Sequence, residues 1–159
     1  MSVAFRRDGD EEHLEPKFEM PIPAGPNLVT PRGLAQIHAR VAELEALVHA
    51  ALTDTVDEAV MTANRRALRY WRTQQATAQP MPAPDAHNVA FGCTVTFRMN
   101  GQDRTITLVG HDEADPASGL LSFAAPLCRA MMEAEVDEKL DFGGKSEAIE
   151  ILAIEVRAD

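Results

Sequence analysis

Three groups of residues have types and spacings that could do chemistry. The densest is His111-Asp112-Glu113-Ala114-Asp115, an imidazole and three carboxylates in one turn between apolar runs. These are donors for a divalent cation. Their spacing argues otherwise. Consecutive ligands in one turn rarely converge on a transition metal, and a zinc site would draw on more His or Cys. The alternating ligands and glycine of a calcium loop are also absent. The alternative is a solvated turn whose acids cap or contact backbone donors. A second group is Asp54, Asp57 and Glu58, in a break between two helical patterns. Carboxylates paired at an exposed tip can hold a Mg²⁺ that keeps most of its waters. Acids in a first helical turn also complement the helix dipole. The third group is Arg65, Arg69 and Arg72, with Arg66 beside them. Such a stripe suits an acidic partner or a phosphate, or it pairs with Glu43 and Glu45 across a helical hairpin.

The elements that must position these groups follow from the hydrophobic pattern. The chain has 159 residues, 45% of them hydrophobic and only 5% aromatic, so its core is aliphatic. Residues 1–27 are acidic and then proline-rich, and are expected to be a disordered tail. Thr30-Pro31 is a helix start, with Thr as N-cap and Pro at the first helical position. Leu34, Ile37, Val41, Leu44, Val48 and Ala51 then recur at alternating spacings of 3 and 4, a heptad seam running to about Leu52. Thr55 and Glu58 form a possible capping box for a second helix with a seam of Val56, Val60, Ala63, Ala67 and Tyr70. Residues 28–79 are thus expected to be an antiparallel helical hairpin, a coiled coil. Trp71 is a packing residue at its base. Residues 80–88 are a proline-rich linker.

From residue 89 the period shifts to 2. Val95 and Phe97 lie on one strand, Asn100-Gly101 is a hairpin turn, and Thr105–Val109 is the partner strand. Further strands are expected at Leu120–Phe123, Lys139–Phe142 and Ala148–Val156, with a short helix at Pro126–Met132 and Met131-Met132 in the core. Residues 89–159 therefore read as a small α+β domain, an antiparallel sheet with one short helix.

Charge narrows the partners. The formal net charge is −10, and residues 85–159 hold 14 acids against 6 bases. That half repels a phosphate backbone, so no direct sequence-specific nucleic-acid binding is expected, and it suits a basic protein surface. Cys93 and Cys128 lack a CxxC partner, which excludes a zinc ribbon and a disulfide framework. With no signal peptide or apolar span, the expected location is cytoplasmic, away from membranes.

The order of parts resembles a known family. Val29-Thr30-Pro31-Arg32-Gly33-Leu34 opening a helical hairpin, a proline linker, and Phe91-Gly92-Cys93-Thr94-Val95-Thr96 are similar to the bacterial GreA/GreB transcription elongation factors. So are Val109 to Asp115, Leu121-Ser122 and Ala125-Pro126-Leu127-Cys128-Arg129-Ala130. The likeness is dense over residues 89–156 and ordered but weaker over 28–79. It implies a C-terminal domain similar to the FK506-binding-protein fold, docked at the rim of the secondary channel of bacterial RNA polymerase. Asp112, Glu113, Asp115, Pro126 and Arg129 are the candidate docking residues. It implies no intrinsic cofactor and no catalysis by the chain itself: in the family, an Asp-x-x-Glu pair at the hairpin tip holds a Mg²⁺ shared with the polymerase, which cleaves its own transcript.

The tip departs from that pattern. Asp54 and Glu58 are four apart, while Asp54 and Asp57 keep a spacing of three. Pro31 to Leu52 spans about 33 Å as a helix, and the family's arms are longer by roughly a dozen residues, or about 18 Å. Metal ligation within about 2.1 Å is then out of reach, and cleavage stimulation is not expected. Two other readings are a cleavage-inactive competitor of the nucleoside diphosphate kinase regulator type and a peptidyl-prolyl isomerase. The latter needs an aromatic-lined pocket, for which only Phe91, Phe97, Phe123 and Phe142 are available.

Overall fold

A computed structural model describes residues 19–51 and 57–157. Among them lie β1 (Asn27–Val29), α1 (Pro31–Ala50), α2 (Glu58–Thr77), β2 (Ala78–Pro80), β3 (Cys93–Met99), β4 (Gln102–Val109), a 3₁₀ turn (Pro116–Ser118), β5 (Leu120–Ser122), α3 (Pro126–Met131), β6 (Lys139–Phe142) and β7 (Lys145–Val156). The chain divides into two compact units. One holds Ile37–Thr77 with the segment ending at Ala24; the other holds Gly25–Gln36 with Ala78 onward.

The first unit is an antiparallel helical pair. Val41 and Leu44 of α1 pack on Leu68 of α2, with Val48, Ala67 and Trp71 half-buried against them. Glu45 meets Arg72 and His38 meets Gln75, so numbering rises along one helix as it falls along the other. The α1 seam lies on the expected positions. The α2 seam does not. Val60 is 48% exposed and Ala63 is also exposed, while Met61, Asn64, Leu68 and Trp71 are the sheltered row. This row has the same alternating spacing, one residue further round the helix. Turning the helix that way shelters Leu68 and Trp71 in place of Val60 and Ala63, and apolar area decides the choice. Thr55 and Val56, expected in the cap and the seam, lie outside the described residues.

The second unit begins with a strand pair that hydrophobic periodicity does not reveal. Residue 27, expected as the end of a tail, and residues 28–29, expected to open the hairpin, lie parallel to residues 78–80, expected as a helix end and linker. The Met81 N–H donates to the Val29 carbonyl at 3.1 Å and continues the pairing. A three-residue parallel pair has too few positions to show a period.

The main sheet has the order β5-β4-β3-β7-β6. Asn100-Gly101 turns β3 into β4 with both residues at positive φ, 54° and 76°, the primed-turn geometry that matches strand twist. The expected antiparallel sheet is in fact mixed, because β5 runs parallel to β4. After β4 the chain passes through the acidic turn and the 3₁₀ turn before coming alongside in the same direction. β3 buries Cys93, Val95 and Phe97, and β7 buries Ile149 and Ile151. Cys128 and Met131 of α3 close the core over them. No helix among the described residues is long and apolar enough to cross a membrane.

Burial pushes the Cys128 thiol up to about 11 and also raises that of Cys93. Thiolate is the reactive form. With a thiol reagent at mildly alkaline pH, Cys128 should therefore react roughly a hundredfold more slowly in the native protein than in urea. Equal rates would show that α3 is not docked.

Candidate functional site

The acidic turn is built around one buried carboxylate. Glu113 is 5% exposed. Its Oε1 accepts a hydrogen bond from the Thr30 hydroxyl at 2.5 Å. Its Oε2 accepts one from Nη1 of Arg157, also at 2.5 Å, within an ion pair whose side chains are 1% and 10% exposed. Thr30 faces two ways. Its Oγ1 accepts the Gly33 N–H at 2.9 Å, which caps α1, and its own proton goes to Glu113. Residues 83 positions apart are thereby joined into one network, with Arg157 just past the end of β7.

Two glycines make room for it. A Cβ on Gly33 would sit 2.9 Å from Glu113 Oε1, and a Cβ on Gly110 would sit 2.3 Å from the Leu28 carbonyl oxygen. Both gaps are shorter than any real Cβ contact. The Gly110 neighbour is backbone, so a side chain there would push β1 away.

The rest of the turn is also occupied with protein contacts. His111 Nδ1 lies 3.2 Å from Ser122 Oγ, and its ring leans on Phe123 at 5.2 Å. Asp115 accepts the Ser118 hydroxyl at 2.8 Å and steadies the 3₁₀ turn. No group of three or more His, Cys, Asp or Glu among the described residues is arranged to hold a metal ion. The expected solvated turn is thus half right: Asp115 is exposed, but Glu113 is core. Burial removes Glu113 from the candidate docking residues, whereas Asp115, Pro126 and Arg129 are exposed and Asp112 is half-buried. Sequence reasoning found Thr30 as a cap but missed Arg157 and Gly33. The one trace of Arg157 was a lone base following a strand in an acidic domain.

The four phenylalanines do not converge on a pocket. Phe97 is wholly buried in the sheet core. Phe91 and Phe123 meet edge to face at 5.5 Å. Phe142 packs on the core at the edge strand. Phe91 alone lines the cavity of about 60 Å³ that Thr30, Met81, Pro82 and Pro84 help to enclose.

In the helical unit, Asp54 lies outside the described residues. Asp57 caps α2, its Oδ1 accepting the Ala59 N–H at 2.8 Å, and Glu58 is exposed in the first turn. The arginine stripe is partly paired. Arg72 meets Glu45 at 2.8 Å, as expected. Glu43 instead bonds to Arg40 on its own helix. Arg69 holds Glu19 through Nε at 2.6 Å and Nη2 at 2.7 Å.

Residues 84–156, which contain the Glu113 turn and end beside Arg157, match the family model described as "Transcription elongation factor, GreA/GreB, C-term". Residues 84–156 are a GreA/GreB-type C-terminal domain. Transcription elongation factor GreB of Pseudomonas aeruginosa is 28% identical, over 78% of this chain and 86% of that protein. Transcription elongation factor GreA of Haemophilus influenzae is 35% identical over 46% of this chain, which spans about half (48%) of that protein's length. A structure of the GreA factor homolog 1 protein of Thermus thermophilus superposes over 82% of this chain and 99% of its own, at 15% identity. Its TM-score of 0.36 is too low to bear on the arrangement here. Thr30 lies outside the matched segment but is hydrogen-bonded into it.

Removing one partner of a buried pair strands the other charge. Glu113→Ala should therefore lower stability by about 3 kcal/mol, and Thr30→Val by about 1 kcal/mol through loss of the cap, both read by urea denaturation. If Glu113→Ala costs no more than a change at exposed Asp115, the network is not holding the unit together.

Proposed function

We propose that this chain is a GreA/GreB-type transcription elongation regulator that binds bacterial RNA polymerase through its C-terminal unit at the secondary channel. The family match over residues 84–156 carries the proposal. The exposed Asp115, Pro126 and Arg129 are the contacts proposed, within a unit whose acidity suits a basic protein surface. The site of action would be cytoplasmic. In this reading the chain is not an enzyme, and any transcript cleavage is the polymerase's own. The C-terminal unit is proposed to share the FK506-binding-protein fold without its activity, since its phenylalanines line no common pocket. Nothing observed favours the isomerase reading or the nucleoside diphosphate kinase regulator reading.

Delivery of Mg²⁺ is not part of the proposal, because the described tip acids are poorly suited to it. Asp57 is engaged as the cap of α2, and α1 has 20 residues, about 30 Å of helix. That is short of the reach the family's longer arms give.

Purified protein should co-migrate with core polymerase at micromolar concentration, and failure to do so would reject the proposal. Charge reversal at Asp115, an exposed acid set to face a basic surface, should weaken that binding about tenfold, as a rim or hot-spot charge does. Added to backtracked complexes, the protein should leave transcripts uncut. Shortening that vanishes in Asp54→Ala or Asp57→Ala would show that the tip does reach the metal.

A further inference from the structure

The arginine stripe of α2 already has an occupant. Glu19 offers its carboxylate to Nε and Nη2 of Arg69, the side-on fork by which a guanidinium recognises a carboxylate. The contact joins residues 50 apart in sequence, so it is tertiary. The hydrogen bond from Arg69, with the charges of Arg69 and Arg66 behind it, holds the Glu19 carboxyl below the usual carboxylate range. Met20 and Ile22 follow. With Tyr70, Arg72 and Thr73 they line a shallow groove on the same face. Acid and apolar side chains of one extended segment thus lie along a face that presents arginines and an aromatic ring.

We propose that Glu19–Ile22 is a strap that occupies the stripe in cis, standing in for an acidic, apolar protein segment that binds there when the strap leaves. Three features support this. The occupant is a peptide carboxylate followed by two apolar side chains, which selects for peptide over a small anion. The tail before it carries Asp8, Asp10, Glu11, Glu12 and Glu15 against Arg6, Arg7 and Lys17, so the strap continues a net acidic sequence. The pairing is weak enough to open, because the Arg69 and Glu19 side chains are 57% and 55% exposed and exposed ion pairs are screened by salt. Tethering compensates, since a linked segment acts at an effective concentration on the order of millimolar. A competing partner must therefore offer several acids together with apolar residues, and a single carboxylate would not displace the strap. This proposal does not depend on polymerase binding.

The test uses the full chain and a fluorescent synthetic peptide of residues 8–24 as the probe in trans, read by anisotropy. Glu19→Arg should vacate the stripe and bind the peptide about tenfold more tightly than the unaltered chain, through loss of the tethered competitor. Arg69→Glu should abolish binding. The double variant, Glu19→Arg with Arg69→Glu, should close the strap with reversed polarity and bind no peptide. Both side chains are exposed, so helicity by circular dichroism should be unchanged in every variant. Equal peptide affinity of the unaltered chain and Glu19→Arg would overturn the strap. Binding that survives Arg69→Glu would overturn the site. A single-stranded RNA that binds Glu19→Arg where the peptide does not would assign the stripe to phosphate and overturn the partner class.

Discussion

The buried carboxylate of Glu113 must find donors to replace its water, and those donors come from opposite ends of the second unit's sequence. The Thr30 hydroxyl arrives from the start of α1, and the Arg157 guanidinium from just beyond β7. Burying one charge unpaired would cost several kcal/mol, so the three groups stand or fall together. Much local structure is tied to that requirement. The Thr30 hydroxyl that satisfies Glu113 also caps α1 through the Gly33 N–H. Gly33 and Gly110 carry no side chain because the Glu113 carboxylate and the β1 backbone, respectively, pass too close for one. The pairing of β1 with β2 extends the same attachment.

The electrostatics of the helical unit differ in kind. Two of its ion pairs, Arg72 with Glu45 and Arg69 with Glu19, lie in solvent with side chains half exposed or more. Pairs of that sort contribute little to stability. Packing of Leu68 and Trp71 against Val41 and Leu44 sets the rotation of α2, and the arginines take the face that remains. Charge on this unit is available for recognition, which is why a strap can form there and be released. Charge at Glu113 is not, because water has been replaced on both of its oxygens.

This contrast reassigns the turn at His111–Asp115. Its residue types suggest a ligand site, yet its acids are used within the protein: Glu113 to anchor, Asp115 to steady the 3₁₀ turn. The turn lies within the segment that matches the family model, and its duty is structural, shared with Thr30 and Gly33 at the start of α1. Asp115, Pro126 and Arg129 remain exposed.

Local sequence determined the elements whose causes are local. The Asn100-Gly101 turn, the strand at Lys139–Phe142, the Pro31 helix start and the helix at Pro126 could all be read from turn chemistry, period and capping. The α1 seam was legible because all its large apolar residues but Leu47 recur at alternating spacings of 3 and 4. The α2 seam was not, since Ala63 and Leu68 fit heptads one residue apart and only packing against α1 chooses between them. Two further features depended on distant partners. The parallel pairs β1–β2 and β4–β5 need strands that the sequence separates. The role of Glu113 needs a hydroxyl 83 residues before it and a guanidinium 44 residues after it. A carboxylate in a turn looks the same in sequence whether it meets water or protein. Tertiary structure decides which, because burial is a property of the whole fold and the charge must be paired wherever burial occurs.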